Sequence, residues 1–117
     1  MNAKPRRGFQ LLERFEDTAG WLLGVTARWP RSARFTFARR VQDLTLETLE
    51  RLVVARYDTD RRASELALVN MNLERLRILL RLAKRQDLLS ARTFESAIRR
   101  IDEVGRIAHG VRTGARR

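Results

Sequence analysis

The sequence predicts an all-α fold, and three features of its 117 residues favour helices. Proline, which interrupts helices, occurs only at Pro5 and Pro30. Apolar residues recur with a 3.6-residue period in each long segment, and no segment shows the apolar-polar alternation of a strand. The pattern predicts one domain over residues 1–117, an up-down-up-down antiparallel four-helix bundle with short basic tails. Its helices are expected at about 8–29, 33–57, 60–87 and 91–109.

Local signals set the ends of these helices. The residue before a proline is disfavoured in the α conformation, so Pro30 is expected to end the first helix. Ser32 and Ser90 are expected to cap the second and fourth helices. The segment Tyr57–Arg61 contains two Asp residues and a Thr, which favours a turn before the third helix. Short connections of this kind are typical of antiparallel neighbours in a bundle.

The third helix is apolar on two sides, which one bundle core cannot cover. Its inner stripe is Leu66, Val69, Leu73, Leu76, Leu80 and Ala83. A second stripe lies roughly opposite, and Trp21 lies opposite the core stripe of the first helix. We therefore predict a homo-oligomer whose interface contains Trp21, Leu68, Met71, Ile78, Leu79 and Leu82.

The composition excludes several classes of enzyme. The chain has no Cys and one His, so it can form neither a disulfide nor a Cys-ligated zinc site, and one subunit has no His cluster for a metal. It has no Gly-rich phosphate loop, no Ser-His-Asp grouping and no carboxylate pair clear of arginines. We expect no catalytic residue, no metal, no cofactor and no small-molecule substrate. A small enzyme is therefore the least favoured class of function.

The charge points to a polyanionic partner. Lys and Arg number 25 against 14 Asp and Glu, which gives a formal net charge of +11. All the basic residues are Arg except Lys4 and Lys84, and the planar guanidinium suits phosphate. The longest apolar run, around Trp21–Ala27, is too short to span a membrane, and no secretory signal follows the basic N-terminus. Acids interspersed on the second and fourth helices disfavour a membrane-surface role. We expect a cytoplasmic protein without a membrane partner.

Two concentrations of positive charge are candidate nucleic-acid sites. One is the connection after the first helix, where arginines alternate with Trp29 and Phe35; the other is a strip on the third helix. We expect both aromatic rings to turn inward and close the core; the alternative is a surface on which bases stack. The candidate nucleic-acid-binding residues are Arg28, Arg31, Arg34, Arg39, Arg40, Arg77, Arg81, Lys84 and Arg85.

The fourth helix also carries arginines, at every seventh residue: Arg92, Arg99 and Arg106. Acids on the same helix lie three or four residues from each of them. We therefore expect pairing within the helix to account for these charges.

Three stretches together resemble one protein family. They are WPRSARFTFARR at 29–40, LERLRILLRLAK at 73–84 and FESAIRRIDEVGR at 94–106. In order and spacing they resemble the small four-helix-bundle proteins that include the accessory variability determinant (Avd) of diversity-generating retroelements. Relatives encoded by intervening sequences in large-subunit ribosomal RNA genes belong to the same family. The resemblance covers nearly the whole chain.

The resemblance implies a fold, an assembly and a role. Avd-like proteins form homopentameric barrels, bind RNA and DNA through a basic surface, and associate with the reverse transcriptase of the retroelement. By this resemblance the chain is a non-catalytic accessory protein that supports mutagenic retrohoming. The alternative is a protein of the ribosomal-RNA intervening-sequence type, with a structural or assembly role and no polymerase partner. A neighbouring reverse transcriptase gene or an enclosing ribosomal RNA gene would separate the two.

Overall fold

A computed structural model describes the backbone of residues 7–114 and the side chains of residues 10–113. This part of the chain contains four α-helices and no strand. The helices are α1 Arg7–Ala27, α2 Arg39–Tyr57, α3 Arg62–Arg85 and α4 Ala91–Gly114. The predicted all-α class is therefore confirmed, and α4 runs five residues beyond its predicted end.

The helices form an antiparallel four-helix bundle of about 46 × 29 × 18 Å. Each helix packs against its neighbours in the chain, and α1 closes the arrangement by packing against α4. In each antiparallel pair, residues later in one helix contact residues earlier in the other. The contacts that show this are Glu47 with Asn72 and Ala55 with Arg62, Arg77 with Asp102 and Lys84 with Phe94, and Arg14 with Glu103 and Trp21 with Arg100.

The core runs along the axis of the bundle and draws on all four helices. The inner stripe predicted for α3 is buried at every position, from Leu66 to Ala83. The apolar period of the second helix predicts a core stripe of Phe37, Val41, Leu44, Leu52 and Ala55; all but the half-buried Phe37 are buried. For α1 the same period predicts Phe9, Leu12, Phe15, Ala19, Leu22, Leu23 and Thr26. Leu11 is buried and Leu12 only half-buried, so α1 is rotated slightly from this prediction. The side chain of Phe9 lies outside the described residues.

The connection between α1 and α2 differs from its prediction. The α1 helix ends at Ala27 in two tight turns, where the amides of Arg28 and Trp29 donate to carbonyls three residues back. A 3₁₀ turn, Arg31–Ala33, and a π turn, Arg34–Ala38, then precede α2. Ser32 therefore does not cap α2, and no side chain caps either short turn.

The other two connections follow the predicted turn chemistry. The carboxylate of Asp58 accepts hydrogen bonds from the amides of Asp60 and Arg61, each at 3.1 Å, ahead of α3. Asp87 adopts a φ of 59° after α3, a left-handed conformation that reverses the chain. Ser90 then caps α4 as predicted, since its Oγ accepts a 3.1 Å hydrogen bond from the amide of Thr93.

In the described part of the chain, no helix combines the length and the apolar content needed to cross a bilayer.

Candidate nucleic-acid interface

The fold brings both predicted concentrations of positive charge to one end of the bundle. Because α2 and α3 are antiparallel, the last turns of α3 lie beside the first turns of α2. The α1–α2 connection and the α3–α4 turn close this same end. We call it the basic end, defined by Arg28, Arg31, Arg34, Arg39, Arg40, Arg81, Lys84 and Arg85.

Most arginines of the basic end are free to bind a ligand. Within the described part of the structure, the side chains of six of them form no ion pair and no hydrogen bond: Arg28, Arg31, Arg34, Arg40, Arg81 and Arg85. All six are exposed. Arg39 lies 3.8 Å from Asp43 in an exposed pair, and the Lys84 ammonium lies 5.3 Å from the centre of the Phe94 ring. Such exposed contacts are weak, so these two cations also remain available.

Arg77, the first candidate of the α3 strip, has a different environment. Its Nε donates a 2.9 Å hydrogen bond to Asp102 of α4, and its Nη1 lies 3.7 Å from Glu74. The side chain is only 21% exposed. The sequence predicted no partner for Arg77 on a neighbouring helix. The structure shows instead that this guanidinium bridges α3 and α4, which leaves it the least available of the candidate site residues.

The arginines of α4 show the opposite departure from prediction. Arg92, Arg99 and Arg106 form no ion pair with any described residue. Asp102 pairs with Arg77, and Glu103 lies 2.8 Å from Arg14 of α1. The prediction of pairing within α4 was therefore wrong: Asp102 and Glu103 pair with other helices, and Glu95 forms no ion pair with a described residue.

The two aromatic rings of the connection point in opposite directions. Trp29 turns inward and is 9% exposed, as predicted. Phe35 was predicted to turn inward as well, but it is 74% exposed. Phe35 lies in the π turn, where the Arg39 amide donates to the Arg34 carbonyl five residues back. This wider turn changes the direction in which its side chains leave the backbone, while Phe37 still packs against the core.

Phe35 lies at a groove between α2 and α3. The groove has a volume of about 340 Å³ and is lined by Phe35, Arg39, Arg40, Asp43, Leu44, Glu47, Arg75 and Leu79. Of its two carboxylates, Glu47 pairs with Arg51 at 3.4 Å, whereas Asp43 lies 3.8 Å from Arg39 in a weak exposed pair. The groove therefore offers a ligand three arginines and one exposed ring, beside the carboxylates of Asp43 and Glu47.

A polar network beneath the groove fixes α2 against α3. Asn72 is buried, and its Nδ2 donates a 2.7 Å hydrogen bond to Glu47, while its side-chain Oδ1 accepts one from Arg75 at 3.1 Å. The Asn72 hydrogen bond is the main cause that holds the pKa of Glu47 below its ordinary value of 4.5. Further along, the buried Glu65 accepts from Arg51 at 3.2 Å. The network holds the arginine-lined wall of the groove in place.

The predicted oligomer interface falls into two groups. Four of its residues form an exposed apolar stripe along the outer side of α3: Leu68, Met71, Ile78 and Leu82. Leu79 and Trp21 are half-buried against the chain's own core. Trp21 also has the Arg100 guanidinium 4.6 Å from its ring centre, so a contact within the subunit already covers part of it. We call the four exposed residues the α3 apolar stripe.

Sequence reasoning missed exposed apolar residues on α2. Leu46 and Val53 are about as exposed as the leucines of the α3 apolar stripe, and Tyr57 is 71% exposed. Their spacing of seven and four residues along α2 is the signal that could have revealed them.

The described part of the chain contains no cluster of three or more His, Cys, Asp or Glu residues that could hold a metal ion. His109, the one histidine, is exposed near the end of α4.

A family model described as bAvd-like matches residues 9–113. The chain belongs to the bAvd-like family. The match covers nearly all of the four helices and both parts of the basic end, so the resemblance seen in the sequence is confirmed. No curated protein and no solved structure matches the chain.

Proposed function

We propose that this bAvd-like chain is a non-catalytic, nucleic-acid-binding accessory protein of a diversity-generating retroelement. It binds template RNA and cDNA and associates with the reverse transcriptase to support mutagenic retrohoming. Family membership supports the setting. The observation that carries the binding role is the basic end, where six arginines from two parts of the chain lie together without acidic partners among the described residues.

The chemistry of the basic end suits the sugar-phosphate backbone. Guanidinium groups bind phosphate oxygens through two hydrogen bonds, and the charge of an arginine without an acidic neighbour is not compensated within the protein. Arg81 and Arg85 are one turn apart, and such a like-charge pair costs the helix only about 0.2–0.5 kcal/mol. The fold therefore tolerates this cluster without a ligand, and a polyanion would relieve the repulsion. Contacts of this kind are mostly blind to sequence.

The proposal is tested by the affinity for single-stranded RNA across a salt series. Each phosphate contact contributes roughly −0.7 to the slope of log K against log salt. The double variant Arg81→Gln, Arg85→Gln should bind more weakly and reduce the slope by up to about 1.4. The variant Arg99→Gln, Arg106→Gln removes the same charge from the outer side of α4 and serves as the matched control.

Two results would contradict this proposal. Absence of RNA and DNA binding by the wild-type chain at low salt would remove the nucleic-acid role. Equal losses in the two double variants would show that overall charge acts rather than the basic end.

The assembly that we propose is a homo-oligomer, pentameric as the family resemblance implies, with the α3 apolar stripe at the subunit contact. Single exposed apolar residues are common, but Leu68, Met71, Ile78 and Leu82 lie on one side of α3, in a row that Arg75 interrupts between Met71 and Ile78. The variant Met71→Glu, Ile78→Glu should dissociate the oligomer in light-scattering measurements of mass. Asn70→Glu places a charge on the same helix beside the stripe and should leave the mass unchanged. An unchanged mass in the double variant would contradict this interface.

Association with the reverse transcriptase is tested with the two purified proteins. Co-elution of the chain with the polymerase encoded beside it, after nuclease treatment, would support direct contact. Co-elution that nuclease abolishes would show that RNA alone joins them. A gene enclosed in a ribosomal RNA operon, with no polymerase gene nearby, would contradict the retroelement setting.

A further inference from the structure

Phe35 is the most exposed large apolar side chain in the described part of the chain. A single exposed phenylalanine is common in folded proteins, so the informative feature is the surroundings of Phe35. It lies between Arg34 and Arg39 in sequence and lines the α2–α3 groove together with Arg40 and Arg75. We propose that Phe35 is a stacking platform for an unpaired base, and that the basic end therefore binds single-stranded nucleic acid in preference to duplex. This inference rests on the nucleic-acid role proposed above.

The ring of Phe35 is largely exposed to solvent. Each of three other aromatic rings, Tyr57, Phe94 and Trp21, has a cation of this chain within about 5 Å of its centre. No described cation lies over Phe35, although exposed arginines flank it on both sides. An open ring face is what a base needs for stacking.

The local backbone holds the ring outward. The 3₁₀ and π turns take up the residues from Arg31 to Ala38, and Ala33 and Ala38 are buried. With its flanking alanines packed inside, the π turn is anchored and Phe35 extends from a fixed base. Turns of this type occur frequently at functional sites.

The charges around Phe35 select the occupant. Arg31, Arg34 and Arg40 lack acidic partners among the described residues. Of the two carboxylates that line the groove, Glu47 pairs with Arg51, and Asp43 has a weak exposed pair with Arg39. A polyanion whose bases can leave the backbone matches cations that surround an apolar ring. Bases in a duplex are stacked on one another and cannot reach a single ring in this way. A second copy of this positively charged chain would meet repulsion at the same place.

The test compares Phe35→Ala with wild type on three labelled ligands of equal length: a single strand, the same strand with abasic sites, and a duplex. Loss of one stacked base should weaken binding of the ordinary single strand by roughly 5- to 150-fold. Binding of the abasic strand and the duplex should be unchanged, and so should the salt slope, because no phosphate contact is removed. Phe35→Trp should retain the preference for the ordinary single strand.

Tyr57 supplies a matched control. It is as exposed as Phe35, at 71% against 74%, but it lies at the opposite end of the bundle beside Asp58. Tyr57→Ala should leave all three affinities unchanged. Both alanine variants lie at exposed positions, so circular dichroism should show an intact fold.

The outcomes separate this inference from the function on which it rests. If wild type binds no nucleic acid, the proposed function fails and the inference falls with it. If wild type binds the abasic and ordinary strands equally and Phe35→Ala changes neither, the stacking role is wrong while phosphate binding stands. If Phe35→Ala alters the mass of the assembly, or removes only binding to the reverse transcriptase, the ring belongs to a protein contact and the proposal is overturned.

Discussion

Arg77 tests whether an arginine of the α3 strip serves the fold or the ligand. The structure predicts that Arg77→Gln destabilises the bundle and leaves RNA binding nearly unchanged. Its Nε to Asp102 Oδ1 hydrogen bond, at 2.9 Å, joins α3 to α4, and Glu74 gives further support at 3.7 Å. Both acids are about half exposed, so the loss leaves no buried charge without a partner.

The exposure of the Arg77–Asp102 pair sets the expected loss of unfolding free energy. A hydrogen bond between charged groups contributes about 1.5–3 kcal/mol, and exposed ion pairs contribute about 0–1 kcal/mol. Arg77 lies between these cases at 21% exposure, which gives about 1 kcal/mol after allowance for solvent screening. For a chain of 117 residues, the entropy of unfolding converts this loss into a decrease in Tm of about 4 °C.

The assay is thermal unfolding in a double-mutant cycle of Arg77→Gln with Asp102→Asn. We expect a coupling of about 1 kcal/mol that decreases at high salt. Arg81→Gln is the matched control, because it removes the same charge one turn further along α3 from a side chain without an ion pair. It should change Tm by less than about 2 °C and weaken RNA binding. The reasoning is refuted if Arg77→Gln weakens RNA binding as much as Arg81→Gln and leaves Tm unchanged.

Three further predictions concern stability. A Cβ at Gly20 or Gly24 would meet no atom within 4 Å. Each Gly→Ala change should therefore raise the free energy of unfolding by about 0.5–1 kcal/mol, and Tm by about 2–4 °C. A lower Tm would show that this face packs against another surface. Ser90→Ala removes the cap of α4 and should cost about 1 kcal/mol, measured by urea unfolding, and no loss would mean that the cap does not stabilise the helix. The lowered pKa of Glu47 gives stability that is present above pH 4.5 and lost as the pH falls through the folded-state pKa. The stability difference between wild type and Asn72→Ala should therefore be larger at pH 7 than at pH 3, and an equal difference at both would contradict this cause.

The sequence predicts the elements that depend on spacing within one helix. Leu66 to Ala83 recur with the helical period and all face the core, and the second stripe of α3 follows from the same count. The Ser90 cap also follows from local chemistry. These features need no knowledge of how the helices are rotated against one another.

Features that depend on neighbouring helices or on an irregular turn could not be predicted in this way. Asp102 lies within reach of Arg99 and Arg106 by spacing, yet it binds Arg77, because the rotation of α4 against α3 places that guanidinium nearer. Asn72 could equally have faced water, but it lies against Glu47 of α2. Phe35 extends into solvent because it lies in a π turn, and local residue preferences give no signal for such a turn.

The placement of charge and apolar surface on α3 connects assembly to binding. The α3 apolar stripe occupies the outer side of the helix, and Arg81 and Arg85 extend that helix to the basic end. Subunits related by rotation about a closed ring present identical ends in the same direction. An oligomer formed through the proposed stripe would therefore place several basic ends around one axis, where a single strand could contact more than one. Once one basic end has bound the strand, the next binds it at a high effective concentration, so the overall affinity rises although each single contact is unchanged. The dissociating variant Met71→Glu, Ile78→Glu should then bind a long strand far more weakly than the assembled chain, while both bind a strand of a few nucleotides about equally.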